Sequence, residues 1–271
     1  MPPEYHLESF WDDRFKKEDH FEWLGDGSNT ILPPIQRYLK TKNPLELPRV
    51  LHIGAGTSTL SSDIFKLYGE HFGEREVEEG LIVNTDYSEI AVERGKNSDE
   101  GRNKWLRWEK KDLLCWADVQ ALQHGQGDAR PFEIVVDKST SDAISCNEDI
   151  VFEGAKTTCS EICPLIATHI ENNLDEALKL EPVELLALHI AALVPPGGVW
   201  VALSYSRHRF HFVEHHRENG ENSRVAVSGY WTLEEVTGVD APSGSHKAGV
   251  FTPTVQHYVF VLRRTDKEIK L

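Results

Sequence analysis

Glycines and acidic residues at the ends of predicted strands are the residues of this sequence best suited to holding a ligand. Residues 50–53 form a β-rich run, and Gly54, Ala55 and Gly56 follow it, directly before a helix-like stretch. Paired glycines let the backbone turn sharply and approach a ligand closely, while the next helix offers unpaired N–H groups and a positive dipole end. Because Thr59 stands where a dinucleotide fingerprint has its third glycine, we predict a nucleoside ligand without a pyrophosphate. A purely structural turn is the alternative.

The second β-rich run ends in Asp86, which Tyr87 follows. In nucleotide-binding α/β sheets, an acid at this place accepts hydrogen bonds from ribose hydroxyl groups. The usual separation from the glycine turn is about 20 residues, and the polar insertion at 70–80 explains the longer separation here. We therefore predict that Asp86 binds a ribose, with helix capping by Asp86 or Ser88 as the alternative.

Two more acids follow the third and fourth predicted strands. Asp112 could accept from an adenine amino group while the backbone N–H of Leu113 donates to a ring nitrogen; a solvated turn is the alternative. Asp137 ends the fourth run at the same sheet edge, where it could contact the charged tail of the ligand or orient a reacting amine. Asp137 is therefore the candidate catalytic residue and also a candidate ligand contact.

The elements that must position these residues alternate between β-rich runs and helix-like stretches. The clearest helix spans 183–193, because Pro182 suits a first turn and the sequence PPGG at 195–198 stops it. Such alternation predicts an α/β fold with a mostly parallel sheet and helices on both faces. The carboxyl ends of the strands then share one edge, where open α/β sheets place their sites. The predicted strands are residues 49–53, 80–85, 105–108, 132–136, 199–204 and 256–262.

Composition limits the classes of partner. With 29 Lys and Arg against 44 Asp and Glu, the 271 residues carry a formal net charge of −15, which disfavours nucleic acids and favours small ligands or basic proteins. Apolar stretches fall short of the ~20 residues of a membrane span, and we expect neither a signal peptide nor a transit peptide. The cysteines are too few and too unevenly spread for a disulfide framework, which indicates a reducing, cytoplasmic location; they are Cys115, Cys146, Cys159 and Cys163.

The order of these features resembles that of the class I, seven-β-strand S-adenosylmethionine-dependent methyltransferases. Over nearly the whole chain, the sequence is similar to the methyltransferase-like group that modifies lysines of translation elongation factor one-alpha. The block at 137–144 is the most diagnostic part of this likeness. The segments that carry it are FWDDRF (10–15), FEWLGD (21–26), LRWE with Asp112 (106–112), DKSTSDAI (137–144), VPPGG (194–198) and QHYVF (256–260).

This resemblance implies a Rossmann-like, seven-stranded, mostly parallel sheet whose last strand is antiparallel, within a single domain at 1–271. Residues 1–45 would form an aromatic lid over a core at 46–271, with S-adenosylmethionine as cofactor and S-adenosylhomocysteine as product. Tyr5, Trp11 and Trp23 would pack around the cofactor, and Arg14 would lie near its carboxylate. Aromatic faces attract a sulfonium cation by roughly 0.5–2 kcal/mol. A lid that only completes the edge of the core is the alternative.

From the same resemblance we expect a protein-lysine N-methyltransferase that acts on a basic protein such as an elongation factor. Ser139 and Ser141 stand where the group has glycine and leucine, and the segments 70–80 and 148–180 look longer than in the group. These departures bear on the acceptor more than on the cofactor. They leave two alternatives, a small-molecule N-, O- or S-methyltransferase and a non-catalytic cofactor-binding partner protein.

Two other clusters imitate different sites. Four histidines in the segment 208–216, together with Glu214, resemble a metal site, but no spacing among them brings three ligands together. We therefore predict no metal and a substrate-facing loop; the histidines are His208, His211, His215 and His216. Cys159 and Cys163 lie one helical turn apart and are predicted to be buried thiols. Residues 232–235 (TLEE) fit a helix-capping box, although a strand runs there in the resembling group.

Overall fold

The chain is described by a computed structural model over residues 3–73, 79–98, 103–123, 130–153, 162–172, 177–214, 227–241 and 255–269. The strands in these ranges are β1 (Val50–Ile53), β2 (Ile82–Asp86), β3 (Leu106–Lys110), β4 (Ile134–Lys138), β5 (Ile150–Phe152), β6 (Leu178–Leu180), β7 (Val199–Ser204), β8 (Trp231–Asp240) and β9 (Gln256–Arg264). The helices are α1 (Glu8–Lys17), α2 (Leu32–Leu39), α3 (Leu60–Phe72), α4 (Glu89–Asn97), α5 (Trp116–Gln123), α6 (Thr140–Ile144), α7 (Pro164–Asn172), α8 (Pro182–Leu193) and α9 (His211–Glu214).

The main sheet contains seven strands in the order β3-β2-β1-β4-β7-β9-β8. Neighbouring strands from β3 to β7 pair in parallel. β9 runs antiparallel to both of its neighbours, β7 and β8. The six strands expected from the sequence all form, with bounds within two residues of those predicted. The predicted α/β class, the seven mostly parallel strands and the antiparallel last strand are confirmed.

The seventh strand is β8, which includes the residues that also fitted a helix-capping box. It pairs with β9 from Trp231 opposite Arg264 to Asp240 opposite Gln256, with one irregularity between Leu233 and Glu235. A ladder of this length satisfies many backbone groups at once, whereas a capping box satisfies two N–H groups. Tertiary pairing therefore decides between the two interpretations, and the segment forms a strand.

Helices cover both faces of the sheet, because alternate residues of its central strands pack in opposite directions. In β1, Leu51 and Ile53 belong to a core that includes residues of α5, α7 and α8, whereas Val50 belongs to a second core with α2 and α3. Every residue of β1, β2, β4 and β7 is buried. Continuous burial of this kind is typical of a parallel sheet with helices on both faces.

Several sequence features lie only partly within the described ranges. Parts of the segments 70–80 and 148–180 lie outside them, as do His215, His216 and Cys159. Cys163 is buried as predicted, Cys115 and Cys146 are exposed, and all three are free thiols. Among the described helices, none has the length and apolar character needed to cross a membrane.

Ser139, in the turn between β4 and α6, adopts a left-handed backbone conformation with φ of 67°. Its N–H donates to the carbonyl oxygen of Leu203 at 2.9 Å, which ties this turn to β7. A residue with a Cβ atom is strained in this conformation, because the Cβ crowds the following carbonyl group. This geometry accounts for the glycine that the resembling group has at the same place.

We expect Ser139→Gly to raise the free energy of unfolding by about 0.5–1 kcal/mol, because relief of the backbone strain exceeds the entropy that glycine adds to the unfolded chain. Urea unfolding followed by circular dichroism measures the change. Ser139→Ala keeps the Cβ atom and removes only the hydroxyl group, so this matched control should show no gain. A glycine variant no more stable than the wild type would contradict the strain argument.

Candidate functional site

A cavity of about 1240 Å³, counted up to its open mouth, lies at the carboxyl edge of the sheet. The turns after β1, β2, β3, β4 and β7 form one side of it, and the aromatic N-terminal segment forms the other. Ten of the twelve site residues expected from the sequence line it: Tyr5, Trp11, Trp23, Gly54, Ala55, Gly56, Asp86, Tyr87, Asp112 and Leu113. The fold therefore brings the glycine turn, the acids and the aromatic rings to one place.

Gly54 is required by the close approach of α6 to the turn after β1. The residue has φ of 54°, and a Cβ atom there would lie 2.1 Å from the Thr140 hydroxyl oxygen. That hydroxyl group donates to the carbonyl oxygen of Ile53 at 2.9 Å, so it cannot move without breaking a contact. Gly56 also has a positive φ, of 55°, and lies beside the ring of Phe15. The paired glycines thus have structural reasons in addition to any contact with a ligand.

Asp86 joins the end of β2 to the glycine turn. Its carboxylate accepts from the Gly56 N–H and from the Ser88 N–H, both at 2.9 Å. The side chain is buried, and burial raises its pKa to about 6 despite these hydrogen bonds. Because a carboxylate has about four acceptor positions, two donors leave room for ligand hydroxyl groups.

The turn after β3 is held from below by α8. His189 is buried, which lowers its pKa to about 4, so the ring is neutral at pH 7. Its Nδ1 lies 2.8 Å from the carbonyl oxygen of Leu113, which can only accept, so Nδ1 carries the proton. Asp112 accepts from the Leu114 N–H at 2.9 Å, and its own N–H donates to Asp118. These bonds fix the backbone on which the predicted adenine contacts depend.

Five aromatic rings of the N-terminal segment cover the cavity: Tyr5, Trp11, Phe15, Phe21 and Trp23. They pack edge to face or tilted, with ring centroids 5.3 Å apart for Tyr5 and Trp23 and 5.6 Å apart for Phe21 and Trp23. The carbonyl oxygen of Tyr5 accepts from Trp11 Nε1 at 2.7 Å and from the Tyr87 hydroxyl group at 3.3 Å. The cover is therefore bonded to the sheet as well as to itself.

The Glu22 carboxylate attaches this aromatic cover to the sheet. It accepts from Lys138 Nζ at 2.6 Å, from the Ser58 hydroxyl group at 3.1 Å and from the Thr59 N–H, just before α3, at 3.3 Å. Lys138 Nζ also donates to the carbonyl oxygen of Trp23 at 3.0 Å. A helix N-terminus attracts anions, and here a carboxylate of the same chain takes that place. This arrangement fits the expectation of a ligand without a pyrophosphate.

Two predicted site residues, Arg14 and Asp137, do not line the cavity. The Arg14 guanidinium lies 3.7 Å from the centre of the Phe21 ring and pairs with Glu18 at 3.2 Å. Asp137 is fully buried, and its carboxylate accepts from the Thr140 N–H at 2.8 Å. The expected contacts of these two residues with a ligand stay predictions, and within the chain Arg14 packs on the aromatic cover while Asp137 accepts from the first turn of α6.

The lining residues that sequence reasoning missed include two aromatic rings, a lysine, an acid and a tyrosine: Phe15, Phe21, Lys138, Asp142 and Tyr205. Four of them lie in FWDDRF, FEWLGD and DKSTSDAI, the segments that carry the resemblance, so those segments contained a usable signal. Tyr205 follows β7 directly, and the rule that sites lie at the carboxyl ends of strands could have identified it.

In the described part of the chain, no three His, Cys, Asp or Glu side chains form a group that could hold a metal ion. His211 Nδ1 lies 3.2 Å from the carbonyl oxygen of His208, and its Nε2 lies 3.5 Å from Glu181. His211 therefore contacts the backbone of His208 and the acid before α8, and these contacts do not bring the two rings to a common centre.

Relatives in sequence are methyltransferases, although no family model matches the chain. Methyltransferase srdJ of Neurospora crassa is 26% identical over 267 residues, 98% of this chain and 86% of that protein. An eEF1A lysine and N-terminal methyltransferase of Danio rerio is 28% identical over 153 residues, 56% of this chain. The chain covers only 19% of that second, much longer relative.

A solved SAM-dependent methyltransferase from Anabaena variabilis superposes with a TM-score of 0.53 at 11% identity, over 96% of this chain and 94% of that one. This chain has the class I methyltransferase fold. The sequence relatives and the fold together support a SAM-dependent methyltransferase enzyme, with S-adenosylmethionine as its cofactor. The similarity to the eEF1A methyltransferase of Danio rerio covers about half of the present chain.

We expect the affinity of this methyltransferase for S-adenosylhomocysteine to fall as the pH drops below about 6. Burial raises the pKa of Asp86 to about 6, and ribose hydroxyl groups donate best to the ionised carboxylate, so affinity follows its ionised fraction. The dissociation constant at pH 5 should be about tenfold larger than at pH 8. Isothermal titration calorimetry at the two pH values measures it.

The variant that tests this dependence is Asp86→Asn. It should bind S-adenosylhomocysteine more weakly at pH 8 and show no change in affinity between pH 5 and pH 8, because an amide does not titrate. Asp240→Asn removes the same charge at the exposed end of β8 and should behave like the wild type. If Asp86→Asn kept the tenfold dependence on pH, another group would have to be its source.

We expect Glu22→Gln to loosen the aromatic cover. The change keeps the size of the side chain but removes a charge-assisted hydrogen bond to Lys138, a contact of about 1.5–3 kcal/mol. Limited proteolysis with mass spectrometry should show cleavage within the first 31 residues about tenfold faster than in the wild type. Glu4→Gln, at an exposed acid of the same segment, is the control. Equal cleavage rates in all three proteins would count against an attachment through Glu22.

Proposed function

We propose that this methyltransferase transfers a methyl group from S-adenosylmethionine to a lysine side chain of a basic protein, such as translation elongation factor one-alpha. The observation that carries the proposal is the charge of the cavity. Both lysines that line it are ion-paired, Lys138 with Glu22 at 2.6 Å and Lys111 with Glu109 at 3.6 Å. Three acids also line it, Asp86, Asp112 and Asp142, together with seven Phe, Trp and Tyr rings. Such a surface suits a cationic or amine acceptor better than an anionic one.

The residues present also fit the cofactor. A carboxylate with free acceptor positions beside a glycine turn suits a ribose, and a cover of aromatic rings suits a sulfonium. In this proposal the nucleoside is held by Gly54, Ala55, Gly56, Asp86, Tyr87, Asp112 and Leu113, and the sulfonium lies near Tyr5, Trp11 and Trp23. Arg14 and Asp137 are left out, because neither lines the cavity.

S-adenosylmethionine, when bound, supplies a methyl group that is already activated for displacement. The chain then has to position both reactants at about 3–3.5 Å and exclude water, which the aromatic cover is suited to do. A lysine amine has a pKa of about 10.4 in water and must lose its proton to solvent before it attacks, and S-adenosylhomocysteine is the leaving group. Removal of water from around the amine lowers that pKa, because desolvation disfavours the charged form.

Two further observations support a protein acceptor. The net charge of −15 attracts a basic partner. The relative from Danio rerio, matched over 56% of this chain, is named as a lysine and N-terminal methyltransferase of eEF1A. The proposal includes a single domain over 1–271 and a cytoplasmic location, which the free cysteines favour.

A small-molecule acceptor is the second candidate. Ser139 lines the cavity and brings a hydroxyl group to a place where the resembling group has none. That difference concerns the turn after β4, not the turns after β1 and β2. An enzyme that kept its cofactor but changed its acceptor would differ at the turn after β4 and keep the turns after β1 and β2.

Incubation of the protein with S-adenosylmethionine labelled on its methyl group, together with a cell lysate, tests the proposal. We expect label in one protein band and in methylated lysine after hydrolysis of that band. Asp86→Ala should lower the rate by at least about tenfold, since it removes hydrogen bonds to a charged group. Asp240→Ala is the matched control and should not. Label confined to the organic-extractable fraction would replace the first candidate by the second, and binding of S-adenosylhomocysteine without any transfer would indicate a non-catalytic protein.

A further inference from the structure

Tyr205 is a large aromatic residue on a cavity wall that the proposed cofactor residues do not form. It follows β7 directly, lines the cavity and is 46% exposed. The nucleoside residues follow β1, β2 and β3, whereas Tyr205 lies beyond β4 in the strand order. A methyl acceptor has to approach from the side opposite the sulfur atom. Tyr205 is on the half of the cavity left for that approach.

A buried ion pair fixes the backbone at Tyr205. The Asp142 carboxylate is 3% exposed and accepts from the Tyr205 N–H at 3.2 Å and from Arg209 Nε at 2.8 Å. The Ser204 hydroxyl group donates to the same carboxylate. With a guanidinium and two other donors around it, Asp142 is better suited to holding the turn than to removing a proton.

Tyr5, in the aromatic cover, lines the same cavity as Tyr205. Burial and the charge of Asp142 raise the pKa of the Tyr205 phenol. The Tyr205 phenol therefore stays protonated at neutral pH and can both donate and accept a hydrogen bond. Tyr205 thus presents a neutral aromatic side chain to the cavity from the turn after β7.

We propose that Tyr205 contacts the acceptor lysine and that the pair of Asp142 and Arg209 positions it; this inference rests on the proposed function. The apolar stem of a lysine packs on aromatic rings, and its ammonium is attracted to their faces while it still carries its proton. An acceptor with an anionic group would find no free cation beside Tyr205 among these residues, because Arg209 is already paired with Asp142 at 2.8 Å.

The test measures methyl transfer to purified translation elongation factor one-alpha and, separately, binding of S-adenosylhomocysteine. We expect Tyr205→Ala to raise the KM for the acceptor about tenfold and to leave the dissociation constant of S-adenosylhomocysteine within about twofold of the wild type. Tyr205→Phe keeps the ring and should raise the acceptor KM much less than Tyr205→Ala does. Leu45→Ala, at a side chain that is 80% exposed between α2 and β1, is the control and should change neither quantity.

The positioning role has its own readout. Arg209→Ala should raise the acceptor KM as Tyr205→Ala does, with a smaller effect on kcat, and Arg209→Lys should restore part of the loss by returning a charge to Asp142. A merely structural role would instead lower the melting temperature and weaken S-adenosylhomocysteine binding in parallel. That pattern would overturn the assignment of Asp142 and Arg209.

The outcomes separate this inference from the proposed function. If the wild type methylates the elongation factor and the Tyr205 variants keep its KM, the inference is overturned and the proposed function stands. If the wild type instead labels an extractable small molecule, the lysine acceptor is overturned, and a slower rate in Tyr205→Ala retains Tyr205 as an acceptor contact. Absence of any transfer by the wild type overturns both.

Discussion

The hydrogen bond from the Gly56 N–H to the Asp86 carboxylate is the contact on which the rest of the site depends. It joins the glycine turn to the end of β2, so neither can move alone. Burial raises the pKa of Asp86 to about 6, above its unfolded value, so ionisation lowers the stability of the folded chain as the pH rises from about 4 to 6. Hydrogen bonds donated by the hydroxyl groups of a ligand would offset the desolvation that raises the pKa of Asp86. A site of this kind gains stability when it is filled.

Much of this arrangement could be predicted from the sequence, because carboxyl ends of parallel strands meet at one edge. That rule placed the glycine turn and the acids Asp86 and Asp112 correctly beside one another. It could not give the direction of each side chain, since successive residues of a strand point to opposite faces. Asp137 and Lys138 are neighbours at the end of β4, and Lys138 lines the cavity while Asp137 points to α6. The contacts of Arg14 within the chain could not be predicted from strand order, because α1 is not a strand of the sheet.

Two buried ion pairs lie at the cavity wall, and each includes a residue of the segment from the end of β4 to α6. Lys138 and Glu22 attach the aromatic cover, and Arg209 and Asp142 hold the turn after β7. Buried pairs of this type contribute little net stability, because desolvation offsets their attraction. Their effect here is geometric: each fixes an element that strand pairing does not reach. The pairs also neutralise the cations that an anionic ligand would need, so the cavity suits neutral or cationic ligands better than anionic ones.

The turn after β4 is where these constraints meet. Lys138 bonds to the cover, the Ser139 N–H bonds to β7, and the Thr140 hydroxyl group bonds to the carbonyl oxygen of Ile53 at the glycine turn. Three successive residues thus tie together the three parts of the cavity wall. A left-handed serine persists in a fold only where its surroundings over-determine the backbone, and this turn meets that condition. The strain at Ser139 is therefore a consequence of joining the glycine turn, the aromatic cover and β7 through a single short segment.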